Sequence, residues 1–166
     1  MYKEIDGNLI TLSLNGEFDV ISHGCNCFCT MRAGIAPQMV NAFHCNTFPL
    51  EYSKYSGDIN KLGQIDYKVC PIVVNKDGES ELSDVVVVNS YTQYHYGKNH
   101  TDGVDKPVDY DAITLCMRKI NRLFKGQHIG LPKIGAGLAG GDWERIKSII
   151  QTELKDCNVT VVNFKK

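Results

Sequence analysis

The chain has 166 residues, 43% of them hydrophobic and 22% charged, a length and balance that suit one globular domain spanning 1–166. Its 18 Lys and Arg against 19 Asp and Glu leave a net charge of −1, which supplies no basic face for duplex nucleic acid. The longest apolar run, the valines at 85–88, is far below the ~20 residues of a membrane helix, and residues 1–6 carry no apolar segment for a secretory signal, so a cytoplasmic, monomeric protein without a membrane partner is expected.

Strands are predicted at 2–5, 19–23, 68–75, 84–89, 128–134 and 158–164, where short β-branched runs are bounded by turn residues. The valines at 85–88 are apolar on both faces, as in a central strand covered on two sides. Between the strands lie segments of helical period. Residues 35–45 place Ile35, Met39, Ala42 and Phe43 on one side, with Pro37 tolerable in a first turn. Residues 111–125 align Ile113, Met117, Ile120, Leu123 and Phe124 before the stop at Gly126. Residues 142–154 open with Asp142 as an N-cap and carry Trp143, Ile146, Ile149, Ile150 and Leu154 in one stripe. A shorter helix is expected at 50–56. The irregular stretch 89–107, rich in Tyr, His, Asp and Gly, is a candidate site wall. Alternating strands and helices predict an α/β fold of layered type.

Seven cysteines are present: Cys25, Cys27, Cys29, Cys45, Cys70, Cys116 and Cys157. Their odd number argues against a disulfide framework. The run Cys25, Cys27, Cys29 lacks the second Cys pair of a structural zinc site. Reduced, mostly buried thiols are expected, with no metal and no cofactor.

The sharpest local signal is a strand ending Leu131-Pro132-Lys133-Ile134, then Gly135-Ala136-Gly137-Leu138-Ala139-Gly140-Gly141, then the Asp142 cap. Glycines permit positive φ and close approach, so consecutive N–H groups can surround one anion. Gly135, Gly137 and Gly140 fit G-x-G-x-x-G, but that fingerprint opens a dinucleotide domain and here only one strand follows. Gly141 and Asp142 stand where a P-loop needs Lys and Ser or Thr. Four glycines in seven residues after a strand favour a ligand loop over a tight structural turn. Near the other end, Ser22-His23-Gly24-Cys25-Asn26 runs into a small-residue loop and a helix. Alternation puts His23, Cys25 and Cys27 on one face and Gly24 and Asn26 on the other. Asn26, at the carboxyl end of a parallel-type strand, has an amide that suits a ribose diol.

Three segments then share an order: Gly7-Asn8-Leu9; His23-Gly24-Cys25-Asn26 with Ala33-Gly34-Ile35-Ala36; and Leu131 through Leu138. In these the chain resembles a macrodomain, the ADP-ribose-binding three-layer α/β/α fold with a mixed, mostly parallel sheet. The last segment looks most like the branch with ADP-ribose-1″-phosphate phosphatases and the terminal ADP-ribose glycohydrolase. The resemblance implies ADP-ribose, or a 1″-linked derivative, as ligand and ADP-ribosylated macromolecules as further partners. It implies that Asn26 binds the distal ribose, that Gly34, Ile35 and Ala36 line that ribose and its phosphate, and that Gly135, Ala136, Gly137, Leu138 and Ala139 wrap the diphosphate. Asn8, beside Leu9, takes the place of an Asp that pairs with the adenine amino group. Its amide oxygen can accept that bond without charge assistance, so weaker adenine selection is expected. Phe164 is the available aromatic for stacking on adenine, with a core role as the alternative.

The chain also departs from the family. The terminal glycohydrolase pattern needs a Lys after the central strand and an Asp in the second glycine loop. Asn89-Ser90 and Ala139-Gly140 stand there, so a Lys–Asp covalent mechanism is not supported. Arg32 replaces a common Gly and either forks onto a terminal phosphate or is solvated. Hydrolysis of a 1″-phosphate needs a positioned water and a proton carrier. Asn26 is the candidate positioner and His95 the candidate carrier, ahead of His100 in the same loop; His23 aims at the other face, and His44 and His128 suit structural roles. The thiols of Cys25 and Cys27 rank lower as nucleophiles. An ADP-ribose-binding hydrolase that removes the phosphate from ADP-ribose-1″-phosphate is expected, with removal of ADP-ribose from protein or nucleic acid and non-catalytic binding as the rival readings.

Overall fold

The valines at 85–88 show why the chain folds in layers. Val85 and Val87 enter one apolar cluster, Val88 enters another, and half-buried Val86 packs against the second. A strand apolar on both faces must be covered twice. The computed structural model describes residues 1–47, 56–96 and 108–165. In chain order these form β1 Tyr2–Gly7, α1 Leu9–Leu14, β2 Val20–Asn26, α2 Ala36–Phe43, a 3₁₀ turn Ile59–Lys61, β3 Ile65–Lys76, β4 Glu79–Gln93, α3 Tyr110–Leu123, β5 His128–Leu131, α4 Trp143–Glu153 and β6 Asn158–Phe164.

The strands form one six-stranded sheet in the order β1-β6-β5-β2-β4-β3. All neighbours are parallel except β3 and β4. On one face α3 and α4 lay Ile113, Met117, Ile120, Ile146 and Ile150 over the sheet. On the other, α1 and α2 contribute Leu9, Ile10, Met39 and Phe43. Each such side chain, fully buried, is worth about 1.5–3 kcal/mol. This is a mixed, mostly parallel three-layer α/β/α fold.

The cap expected at Asp142 is present. Asp142 caps α4 by accepting from the Glu144 N–H at 3.1 Å, and Asp109 caps α3 through the Ala112 N–H at 2.9 Å. Other boundaries shift. The helix expected at 35–45 runs only over Ala36–Phe43, because His44 turns left-handed at φ 52° and ends it. That expected at 111–125 ends at Leu123, with Phe124 as its C-cap. The separate strands expected at 68–75 and 84–89 are longer arms of one hairpin. Asp77 and Gly78 both have positive φ there, the backbone of a type I′ turn. β4 therefore continues to Gln93, and the stretch 89–107 begins as sheet, not loop. The strand expected at 128–134 stops at Leu131. The helix expected at 50–56 lies outside the described residues except Ser56, which is in a turn. His100, with the rest of 97–107, also lies outside them.

Candidate functional site

The carboxyl ends of β1 and β6 open onto a cavity of about 650 Å³. Five residues singled out from sequence line it: Asn8, Leu9, Gly34, Ile35 and Phe164. Phe164 is 60% exposed, so its ring is free to receive a planar group and is not core. The carboxamide oxygen of Asn8, expected to meet adenine, accepts from the Ile10 and Thr11 N–H groups at 3.0 and 3.1 Å. It is the cap that lets α1 begin. Across the cavity, α2 starts at Ala36 without any side-chain cap. Its first N–H groups thus remain available to an anion near Gly34 and Ile35.

The glycine loop after β5 is closed by its own backbone. The Gly141 N–H donates to the Gly135 carbonyl at 2.8 Å. A Cβ on Gly141 would lie 2.6 Å from that oxygen, so no larger residue fits the closure. Among the described residues no hydrogen bond takes up the N–H groups of Gly137, Leu138 or Ala139. Leu138 is exposed and Ala139 is buried. The loop is thus a tight turn that leaves three of its N–H groups without a hydrogen bond among the described residues.

Asn26 ends β2 beside Gln93, where a bulge interrupts the pairing with β4. Its carboxamide closes the turn that follows. Oδ1 accepts from the Phe28 and Thr30 N–H groups at 3.0 and 3.2 Å, and Nδ2 donates to the Thr30 carbonyl at 2.9 Å. The Phe28 ring then meets the rings of Tyr94, His95 and Tyr96 at centroid distances of 5.3, 5.0 and 5.6 Å. Phe28 is thus the link that brings Asn26 and His95 into one neighbourhood. His95 Nδ1 is 2.9 Å from the Tyr96 carbonyl. Beneath the turn, Lys61 is fully buried, donating to the Cys27 carbonyl at 3.2 Å and reaching the Cys29 sulfur at 3.5 Å. Arg32 is exposed and makes no ion pair among the described residues. Neither Asn26 nor His95 lines the cavity, nor do Arg32, Ala36 or the loop from Gly135 to Ala139.

His23 lies on the face opposite Asn26, as strand alternation places it. It is fully buried, with Nε2 2.7 Å from Asn89 Oδ1. Asn89 donates onward to Asp66 at 2.8 Å, and the Tyr91 hydroxyl donates to Asp66 at 2.6 Å. Burial pushes the His23 pKa down, against the weaker opposing pull of Asn89 and Asp66. Burial likewise drives the Cys25 thiol well above its ordinary range and the Cys27 thiol up to about 12. Burial thus favours the neutral thiol at both, which works against a nucleophilic role. His128, at the far end of the sheet, is held by the Glu17 carbonyl and Thr160.

The cavity also has residues that no motif revealed, Asp6, Gln38, Asn163 and Lys165, and Lys133, which lay inside the glycine-loop motif without being singled out. They are polar side chains at the ends of strands and the start of α2. The available signal was their place, since ligands in open α/β sheets bind beyond the carboxyl ends of strands.

No protein-family model matches the chain. It is 31% identical over 170 aligned residues to an uncharacterized 17.5 kDa protein from the tk-vs intergenic region of Enterobacteria phage T4, covering 98% of this chain and 96% of that one. A solved protein of unknown function from Bacteroides thetaiotaomicron superposes with a TM-score of 0.70 at 24% identity, over 98% of both chains. The macrodomain of Thermus aquaticus DarG matches with a TM-score of 0.59 at 22% identity, over 100% of this chain and 99% of that one. Thermosipho africanus DarTG, solved in complex with ADP-ribose, matches with a TM-score of 0.62 at 14% identity, over 96% of this chain and 40% of that one.

Proposed function

We propose that this chain, which is a macrodomain by fold and belongs to one family with the phage T4 17.5 kDa protein, is an ADP-ribose-binding hydrolase that removes the phosphate from ADP-ribose-1″-phosphate. The observation that carries the reading is the cavity at the ends of β1 and β6, with Asn8, Leu9, Gly34, Ile35 and exposed Phe164 on its walls. Its apolar platform suits a base, and the uncapped start of α2 and the free N–H groups of Gly137, Leu138 and Ala139 suit a diphosphate. The Thermosipho neighbour was solved with ADP-ribose, and the likeness of fold supports the same ligand here.

In the hydrolysis, water adds its oxygen to the phosphorus, the bond from phosphorus to the 1″ oxygen breaks, and a proton reaches that leaving oxygen. Asn26 is the positioner and His95 the proton carrier in this reading. Asn26 must exchange turn bonds for ligand bonds, since both ends of its amide are engaged. That same engagement favours a second reading, an ADP-ribose binder without turnover. Calorimetry with ADP-ribose and a phosphate-release assay on ADP-ribose-1″-phosphate separate the two. Binding with phosphate release supports the hydrolase; binding without turnover of any 1″-linked substrate supports the binder; no binding at millimolar ADP-ribose overturns both.

A further inference from the structure

Beneath the turn that follows β2 lies a pair of side chains that the proposed hydrolysis does not use. Lys61 is fully buried, and among the described residues no carboxylate pairs with it. An amine out of water needs its N–H groups taken up nearby. Its Nζ donates to the Cys27 carbonyl at 3.2 Å and to the Cys29 sulfur at 3.5 Å. The fold sets this approach from both sides. Lys61 ends the 3₁₀ turn that Asp58 caps by accepting from the Asn60 N–H at 2.9 Å. Cys29 is fixed in its own turn, where its N–H donates to the Asn26 carbonyl at 3.1 Å.

Cys29 also differs from the other six cysteines. Those are buried, whereas Cys29 is partly exposed, and an oxidant attacks the thiols it can reach. Its φ of 57° lies in the left-handed region that favours glycine, yet a side chain stands there with its sulfur against an amine. The residue thus touches solvent, while the nitrogen beside its sulfur does not.

We propose that Cys29 and Lys61 form an oxidation site, which hydrogen peroxide closes into a covalent sulfur–nitrogen link. The Cys29 sulfur attacks one peroxide oxygen, the O–O bond breaks, and the departing oxygen takes the thiol proton and leaves as water. The product is a sulfenic acid, which condenses with a nearby nitrogen. The Lys61 nitrogen, in its neutral form, attacks that sulfur: an N–S bond forms, the S–O bond breaks, and the hydroxyl leaves with one amine proton as a second water. One thiol, one amine and one peroxide thus give one sulfenamide and two waters, with sulfur oxidised and peroxide reduced. The link ties the turn closed by Asn26 to the 3₁₀ turn below it. An added thiol attacks the linked sulfur, returns the amine, and with a second thiol restores Cys29.

The test treats the intact chain with hydrogen peroxide and reads the product by whole-protein and tryptic-peptide mass spectrometry. The expected product is lighter than the native chain by about 2 Da, the loss of two hydrogens. Its digest should join the peptide holding Cys29 to the peptide holding Lys61, with cleavage after Lys61 lost. Dithiothreitol should restore the native mass and separate the peptides. Cys29→Ser and Lys61→Met are each expected to abolish the joined peptide. Cys29→Ser keeps the test decisive even where removal of the buried amine prevents folding. A joined peptide that persists in Cys29→Ser overturns the proposal, as does a disulfide between Cys27 and Cys29 in its place. So does Cys29 that stays unmodified, or gains oxygen without the link, or reacts only after a buried cysteine. Neither residue lines the cavity, so every one of these outcomes is independent of which ligand the cavity holds.

Discussion

At the cavity, the side chains and backbone groups of the candidate site are mostly unspent: Phe164 is exposed, α2 begins uncapped and Asp6 has one long hydrogen bond. Around Asn26 nearly everything polar is already used. The amide closes its own turn, Lys61 is bonded beneath it, and His95 leans on Phe28 and Tyr96. A region with open groups binds a ligand without rearranging, whereas a region with satisfied groups must break internal bonds first. Affinity and turnover should therefore reside in different parts of the molecule.

That separation can be broken most decisively at Asn26. Asn26→Ala removes three turn bonds together with the positioning amide, and phosphate release is expected to fall about 1,000-fold. Affinity for ADP-ribose should fall by less than about 10-fold, the scale of one bond. Equal losses in kinetics and calorimetry would merge the two regions. Next, His95→Ala is expected to lower the rate of phosphate release about 100-fold through loss of the proton carrier, with ADP-ribose affinity unchanged. Phe164→Ala should do the reverse. Loss of stacking weakens binding about 10-fold, while the rate at saturating substrate and the melting temperature hold.

The smallest effect concerns the sheet beneath both regions. The pKa of His23 is depressed in the folded protein, so unfolding takes up a proton below its unfolded value of about 6.5. Stability should be complete above that pH and decline as pH falls toward the folded pKa, by at most about 1.4 kcal/mol per pH unit. Urea unfolding across this window should show the slope, and His23→Gln should flatten it. A slope unchanged in that variant would assign the acid sensitivity to another group.

How far the sequence could be read depended on how local the determining interaction was. Asp142 and the Trp143, Ile146, Ile150 stripe made α4 plain, because a cap and a 3.6-residue period lie within one segment. α1 escaped because six residues are too few for a period to emerge; the available signal was Asn8 as a cap ahead of Leu9. The Asp77-Gly78 pair between alternating residues could have revealed the β3–β4 hairpin. The glycine loop and the turn at Asn26 were legible as local motifs, although neither lines the cavity. Asp6 and Asn163 were not, because they become neighbours only when β1 pairs with β6, across almost the whole chain. The adenine contact expected of Asn8 did not take account of its place before α1, where its oxygen already accepts two N–H groups.

The long β3–β4 hairpin has a use that follows from its direction. β4 begins seven positions before Val86, the residue level with the first residue of β2, so its arm overhangs the sheet by about 20 Å. It does so at the edge away from the strand ends that carry the cavity. Its tip, Asp77 and Gly78, is exposed, as are the residues on both sides. An affinity handle, fluorophore or surface tether inserted at that tip would hold the molecule by its back and leave the cavity end facing solution, so that binding to the cavity could be assayed on an immobilised chain.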